Sequence, residues 1–342
     1  MHVGIAGAGL LGRLLAWQLG AAGHRVTVFD PATDAQARGA AGWTAAGMLS
    51  PLAELECADA RMAELGWRSI ALWRRIVGQL PLAVDLRSEG SLLLAHRGDL
   101  GSAQRLLAVL EAKARAGVSP EALSADRLRE LEPSVHGPAH AWLLPGEGQI
   151  HTVQAMQALA DAATCLGVAW RWGQRVERLA PGRVDDEPFD WVFDARGTGA
   201  RPDLPVRGVR GEILWVHAPG VVIRRPLRLL HPRQRVYLVP RPGELVVIGA
   251  SEIESEDRSP ISVRTMLGLL SAAHSVVPEL AEARIVHSET NLRPAMPDNL
   301  PRVESQPGLT RINGLFRHGW LLAPALVQDS LEQAGLVKEI ER

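Results

Sequence analysis

Lysine is nearly missing from this chain: Lys113 and Lys338 are the only two among 37 basic residues, a bias that carries no mechanism. Cysteine is as scarce. Cys57 and Cys165 cannot build a disulfide framework or a Cys-rich zinc site, and two free thiols in a reducing compartment are expected. With 37 basic residues against 38 acidic ones, the formal charge of -1 gives no attraction for nucleic acid or an anionic membrane surface. No uninterrupted apolar run reaches about 18 residues, the length of a membrane-spanning helix. The apolar N-terminus lacks a basic n-region and contains a glycine motif for which a signal peptide has no use. A soluble, cytoplasmic protein is the expectation. The eleven histidines do not group at metal-ligand spacing and no Ser-His-Asp constellation is visible, so no metal is expected. What remains is the composition of a globular protein, 46% hydrophobic and 22% charged, and 342 residues suffice for two lobes.

The chain opens with a βαβ pattern. Residues 2–6 read as a buried strand, residues 10–22 as a Leu- and Ala-rich helix stopped at Gly23, and Arg25-Val-Thr-Val-Phe-Asp30 as a second strand. Helices are expected near 60–80, 100–116 and 152–166, with a strand at 90–95 and a loop region at 133–148. Further strands are expected at 168–172 and 191–194, the latter running into Gly197-Thr198-Gly199. An antiparallel run of three strands follows, at 212–217, 235–239 and 244–248. A helix near 260–274, a strand at 284–289 and a last helix from about Leu321 complete the reading. With no internal repeat and no low-complexity linker, the two lobes are expected to be interleaved.

Between the first strand and helix lies Gly7-Ala8-Gly9-Leu10-Leu11-Gly12. Gly7 permits the tight turn, Gly9 the approach of backbone to a pyrophosphate and Gly12 close helix–strand packing, while the helix N-terminus faces phosphate charge. Asp30, closing the second strand, is placed to accept a ribose hydroxyl. This motif alone does not separate NAD from FAD. Gly39-Ala-Ala-Gly-Trp-Thr-Ala-Ala-Gly47-Met48-Leu49 is too small-residued for a core strand and too apolar for a solvated loop. It reads as backbone and the Thr44 hydroxyl approaching a flat cofactor, or as a buried turn with Met48 filling a gap.

That segment resembles the flavin loop of the FAD-dependent D-amino acid and amine oxidase family, most nearly the glycine oxidases of thiamine biosynthesis. Three later stretches carry the same resemblance: Val236-Tyr237-Leu238-Val239-Pro240-Arg241, Asn291-Leu292-Arg293-Pro294-Ala295-Met296-Pro297-Asp298, and Asn313-Gly-Leu-Phe-Arg317-His-Gly319-Trp-Leu-Leu-Ala-Pro324. The resemblance implies FAD as cofactor and an α/β fold, a Rossmann-like FAD-binding domain (1–80, 145–208 and 285–342) interleaved with an antiparallel-sheet α+β substrate domain (81–144 and 209–284). It implies Arg293, Tyr237 and Arg317 at the substrate. At the cofactor it implies Gly7, Gly9, Leu10, Leu11, Gly12, Asp30, Thr44, Ala45, Ala46, Gly47, Met48, Val176, Gly197, Gly199, Arg317, His318, Gly319, Trp320, Leu321 and Leu322. A permanently charged, planar guanidinium at 293 suits a carboxylate, and Tyr237, the one tyrosine, could add a third bond. Backbone N–H groups of 319–322 and the positive end of the last helix would favour the reduced flavin.

The implied reaction is oxidative deamination of glycine or a small amine or D-amino acid by hydride transfer. O2 would be reduced to H2O2, and the imine would be available for hand-off to a thiazole synthase. Sarcosine oxidase, D-amino acid dehydrogenase, a nicotinamide enzyme and a flavin-binding subunit without turnover stay open, as does a homo-oligomer. Two departures from the family pattern, Leu315 and His318, put the contacts of those side chains in doubt. Arg196 reads as a phosphate contact or a surface charge.

Overall fold

The computed structural model describes residues 1–56, 59–114, 118–230 and 235–337. In chain order the elements that matter are β1 (His2–Ala6), α1 (Leu10–Ala21), β2 (Arg25–Asp30), α2 (Pro51–Glu54), α3 (Ala60–Gln79), β3 (Ser91–Ala95) and α4 (Leu100–Lys113). Next come β4 (Glu121–Leu123), β5 (His140–Leu144), α5 (Thr152–Cys165), β6 (Ala169–Trp172), β7 (Trp191–Asp194) and β8 (Arg207–His217). Then follow β9 (Leu227–Leu230), β10 (Val236–Arg241), β11 (Leu245–Gly249), α6 (Val263–His274), β12 (Arg284–Ala295), β13 (Arg302–Gln306), β14 (Leu309–Asn313) and α7 (Gly319–Gln333).

Among the described residues, one sheet has six strands in the order β13-β14-β7-β1-β2-β6. It is parallel except for the β13–β14 pair. The strands at its centre are apolar on both faces because both faces are covered. On one side Val3, Ile5, Val26 and Val28 pack with Leu14, Leu15 and Leu19 of α1, Ala155 and Leu159 of α5, and Leu326 and Val327 of α7. On the other, Phe29 and Val192 meet Val176, Val184 and Phe189.

The second large sheet has eight strands in the order β12-β8-β11-β10-β9-β3-β5-β4. Alternation sorts its side chains. Leu214, Leu238 and Ile248 face a core shared with Leu269 and Ala273 of α6, whereas Ile213, Val239 and Val247 face the loop residue Ala46. The second face is therefore turned toward the six-stranded lobe.

Several expectations need correction. β5 crosses the stretch 133–148 that reads as loop, and β9 was not anticipated. The strand expected at 284–289 continues to Ala295 and pairs with β8 from end to end. A boundary at 285 thus falls inside a strand of the eight-stranded sheet. Pro294 is tolerated there because β12 is an edge strand, where a missing N–H leaves no ladder partner unserved. Cys165 is a free, exposed thiol, and Cys57 lies outside the described residues. Among the described residues no helix is long and apolar enough to cross a membrane.

Candidate cofactor and substrate site

The β1–α1 turn follows from its glycines. Gly7 has φ +101°, and a Cβ there would lie 2.5 Å from the Ala195 carbonyl oxygen. A Cβ on Gly12 would lie 1.8 Å from the Gly7 carbonyl oxygen, so only glycine lets α1 start this close to the turn. The first helical bond is Arg13 N–H to Gly9 O, which leaves the N–H groups of Leu10, Leu11 and Gly12 without helical acceptors. Asp30 braces the turn: its carboxylate accepts from Ala8 N–H at 2.6 Å and from Ala32 N–H at 2.8 Å. With two oxygens and four lone-pair directions, it retains acceptor capacity toward a ribose.

These groups open onto a cavity of about 1280 Å³. Single small-molecule sites run to roughly 300–1,000 Å³, so there is room for a dinucleotide and a small substrate together. Its wall includes Gly7, Gly9, Leu10, Leu11 and Asp30, the segment Thr44, Ala45, Ala46, Gly47 and Met48, and Val176, Gly197 and Gly199. Tyr237, Arg293, Arg317, His318, Gly319, Trp320 and Leu321 complete it. Two expected contacts are not in the wall. Gly12 serves the packing just described, and Leu322 is fully buried in the core beneath α7. Arg196 lines the cavity, but its guanidinium is bonded to both Asp194 oxygens, at 3.0 and 2.8 Å, and to Asp203 at 2.6 Å. Its charge is thus already balanced by two carboxylates.

The small-residue segment is held by groups that the motifs did not single out. Asn291 of β12 has its amide nitrogen 3.2 Å from Arg38 O, Ala40 O and Thr44 Oγ1. Arg241 of β10 donates to the Ala46 carbonyl, to Ile150 O at 3.1 Å and to Gln149 Oε1 at 3.3 Å. Burial lowers that guanidinium to about 10, still cationic at neutral pH. Arg13 reaches Ala8 O, Met156 O and Ala35 O, each at 2.8 Å, and lies 5.1 Å from the Trp43 ring. From the other side, Trp320 Nε1 donates to Gly42 O at 3.0 Å, and Trp73 Nε1 to Trp320 O at 2.8 Å. The start of α7 and the loop are therefore one braced unit. Asn291 and Arg241 sit inside recognisable stretches; nothing in the spacing marks Arg13.

On the sheet face, Arg293 donates from Nη1 to Arg210 O at 3.3 Å and from Nη2 to Ser251 O at 3.0 Å. It has no acidic partner among the described residues at ion-pair distance. Burial weakens its hold on the proton, a trend that Tyr237 and Glu252 oppose, and burial likewise pushes the Tyr237 phenol above its ordinary value. The Tyr237 phenol therefore stays a protonated donor at neutral pH, and a guanidinium keeps its charge in proteins generally. Arg317 differs: it meets Glu54 Oε2 at 3.2 Å and Glu252 Oε2 at 3.6 Å. Glu54, at the end of α2, also faces Arg228 at 3.3 Å and His318 Nδ1 at 3.2 Å. Burial would neutralise Glu54, but His318, Arg228 and Arg317 hold its carboxyl well below the usual range.

A cavity of this size, opening at a helix N-terminus and lined by the Arg293 guanidinium, has the room and the donors to hold a dinucleotide. Residues 2–328 match the DAO family, described as FAD dependent oxidoreductase, and the chain belongs to that family. It is 37% identical, over 96% of its length and 95% of the relative's, to a putative thiamine biosynthesis oxidoreductase ThiO of Rhizobium etli. It is 30% identical over 95% of its length to a bifunctional ThiO/ThiG protein of Nostoc, of which it spans 52%. The crystal structure of glycine oxidase from Geobacillus kaustophilus superposes with a TM-score of 0.82 at 26% identity, covering 99% of both chains. The chain is an FAD-dependent oxidoreductase of the glycine oxidase and ThiO type, and the braced turn, Asp30 and the small-residue segment fit that cofactor.

Proposed function

We propose that this enzyme oxidises glycine or a comparably small amine or amino acid to the imine, which hydrolyses to the keto acid. The observation that carries this reading is Arg293, a guanidinium on the cavity wall whose hydrogen bonds, among the described residues, go to two carbonyls. Of its five N–H groups, those two bonds leave three for a substrate carboxylate. Tyr237, raised in pKa and facing the same cavity, supplies a neutral donor beside it. Arg317 is a weaker candidate for the carboxylate, because Glu54 and Glu252 already balance it; its role is to shape the wall.

FAD, when bound, supplies the hydride acceptor and passes the electrons to O2 as peroxide. The protein's share is positioning: Arg293 and Tyr237 fix the carboxylate, which leaves the substrate Cα one rotatable bond from a held group. Leu10 and Leu11 offer N–H groups to the diphosphate, and Asp30 an acceptor to the ribose. The N-terminal turn of α7, from Gly319, brings a positive end to the cavity wall and stabilises negative charge there. The names of the relatives support a place in thiamine biosynthesis, and the ThiO/ThiG arrangement supports hand-off of the imine to a thiazole synthase. The test is peroxide formation with glycine, sarcosine, D-alanine, D-proline and a bulky D-amino acid, under air and anaerobically with a dye. Highest kcat/KM for glycine or sarcosine under air is expected. A bulky D-amino acid winning would overturn the substrate reading, and turnover with the dye alone would make the enzyme a dehydrogenase.

A further inference from the structure

We propose that Gly211 is a positioning residue for substrate binding: the space where its side chain would stand is the seat of the Arg293 guanidinium. The inference rests on the reading of Arg293 as the carboxylate clamp. In the ladder between β8 and β12, Val209 stands opposite Arg293 and Gly211 opposite Asn291. Alternation puts residues 209, 211 and 213 on one face of β8, the face that also carries Arg293. From its own rung the long Arg293 side chain runs diagonally to the next same-face position, a reach open to long side chains. A Cβ on Gly211 would lie 2.6 Å from Arg293 Cζ and Nη2 and 2.7 Å from Nη1. The two carbonyls that receive the guanidinium, Arg210 O and Ser251 O, flank this gap, and the first belongs to the residue before Gly211.

The same device recurs on the adjacent strand. Gly249 of β11 stands level with Ile213 of β8 and Tyr237 of β10, and a Cβ there would be 2.7 Å from the Tyr237 hydroxyl. The two gaps are not equivalent. At Gly249 a methyl would also come within 2.8 Å of Cγ2 of the buried Ile213, a short β-branched side chain with little rotamer freedom to move aside. At Gly211 all three of the nearest atoms belong to the tip of one flexible side chain. Added bulk at 211 is therefore relieved by swinging the guanidinium off its carbonyls, which spares the fold and misdirects the clamp. Displacements of about 1 Å in a binding group are enough to lose on the order of 10²-fold.

The experiment is Gly211→Ala in the FAD-loaded enzyme, alone and combined with Arg293→Ala. Expected for Gly211→Ala are unchanged flavin content, a tenfold or greater rise in glycine KM with a much smaller change in kcat, and matching loss of acetate affinity in flavin-absorbance titrations. In the Arg293→Ala background the same substitution should add nothing, because the group it displaces is gone. Unchanged KM and acetate affinity in Gly211→Ala, or undiminished additivity in the double variant, overturns the inference. If Gly211→Ala does not fold, Arg293→Ala must restore folding by emptying the seat, and failure to do so also overturns it. Should Arg293→Ala by itself leave acetate binding intact, the clamp reading falls; normal Gly211→Ala beside a crippled Arg293→Ala refutes the seat alone.

Discussion

Glu54 Oε2 lies 3.2 Å from Arg317 Nη2 and 3.2 Å from His318 Nδ1, so a single carboxylate oxygen serves two cationic or polarisable groups beside the start of α7. Its other oxygen faces Arg228 at 3.3 Å. Glu54→Gln should therefore cost about 3–5 kcal/mol of stability at pH 7, the range for removing one partner of a buried ion cluster. The sign with pH follows from the depressed carboxyl. Its contribution is complete above the ordinary glutamate value of 4.5 and is lost as pH falls below it. Denaturant melts at pH 7 and pH 4 should show the gap between the native protein and Glu54→Gln narrowing in acid; a constant gap would contradict this account.

Arg293→Ala should weaken substrate binding by about 2–5 kcal/mol, as for truncating a desolvated charge partner, and Arg293→Lys should recover only part of it. Arg317→Ala should instead act through its neighbours Glu54 and Glu252, changing stability more than KM. Steady-state kinetics with glycine beside thermal melts of the same three proteins separate the two roles. Equal KM effects at both positions would merge them.

Asp30→Ala removes a brace on Ala8 N–H as well as the proposed ribose acceptor, whereas Asp30→Asn keeps one oxygen. FAD affinity of the apoprotein should fall by about 1–3 kcal/mol or more in Asp30→Ala, the cost of one buried donor left unpaired, and by less in Asp30→Asn. Fluorescence titration with FAD measures both. Native affinity in Asp30→Ala would remove this residue from the site.

His151 caps α5, with its ring accepting from Gln154 N–H at 3.5 Å, and is depressed to about 4 by burial and by the Arg241 guanidinium. A neutral imidazole is thus what the fold stabilises. An unfolded histidine protonates near 6.5, so this contribution is full above that pH and is lost as pH drops toward about 4. His151→Asn, which keeps a capping acceptor, should flatten the fall in Tm across that window. An unaltered slope would place the acid sensitivity elsewhere.

The βαβ opening was legible almost to the residue, because glycine spacing, apolar runs and a terminal acid agree there. Arg293, Tyr237 and the Thr44 to Met48 segment, singled out from separate stretches of sequence, line one cavity. β9 was not legible: four residues following Arg224, Arg225 and Pro226 become a strand only because β3 and β10 lie on either side. Glu54 was equally silent, since its partners Arg228 and Arg317 come from 174 and 263 residues away. Leu322 reads like part of the site because Gly319 to Leu321 do, and those three line the cavity, yet the helical turn carries Leu322 inward to the core. Local pattern reports what the backbone does; which charges meet is decided by chain segments that no window contains.

Asn291 and Arg293 occupy alternate positions of β12, one bonded to the small-residue loop and the other lining the cavity. A slip of one residue in that edge strand would turn both away from the cavity together. An insertion or deletion upstream in β12 therefore moves both side chains together and cannot alter the contacts of one while sparing those of the other.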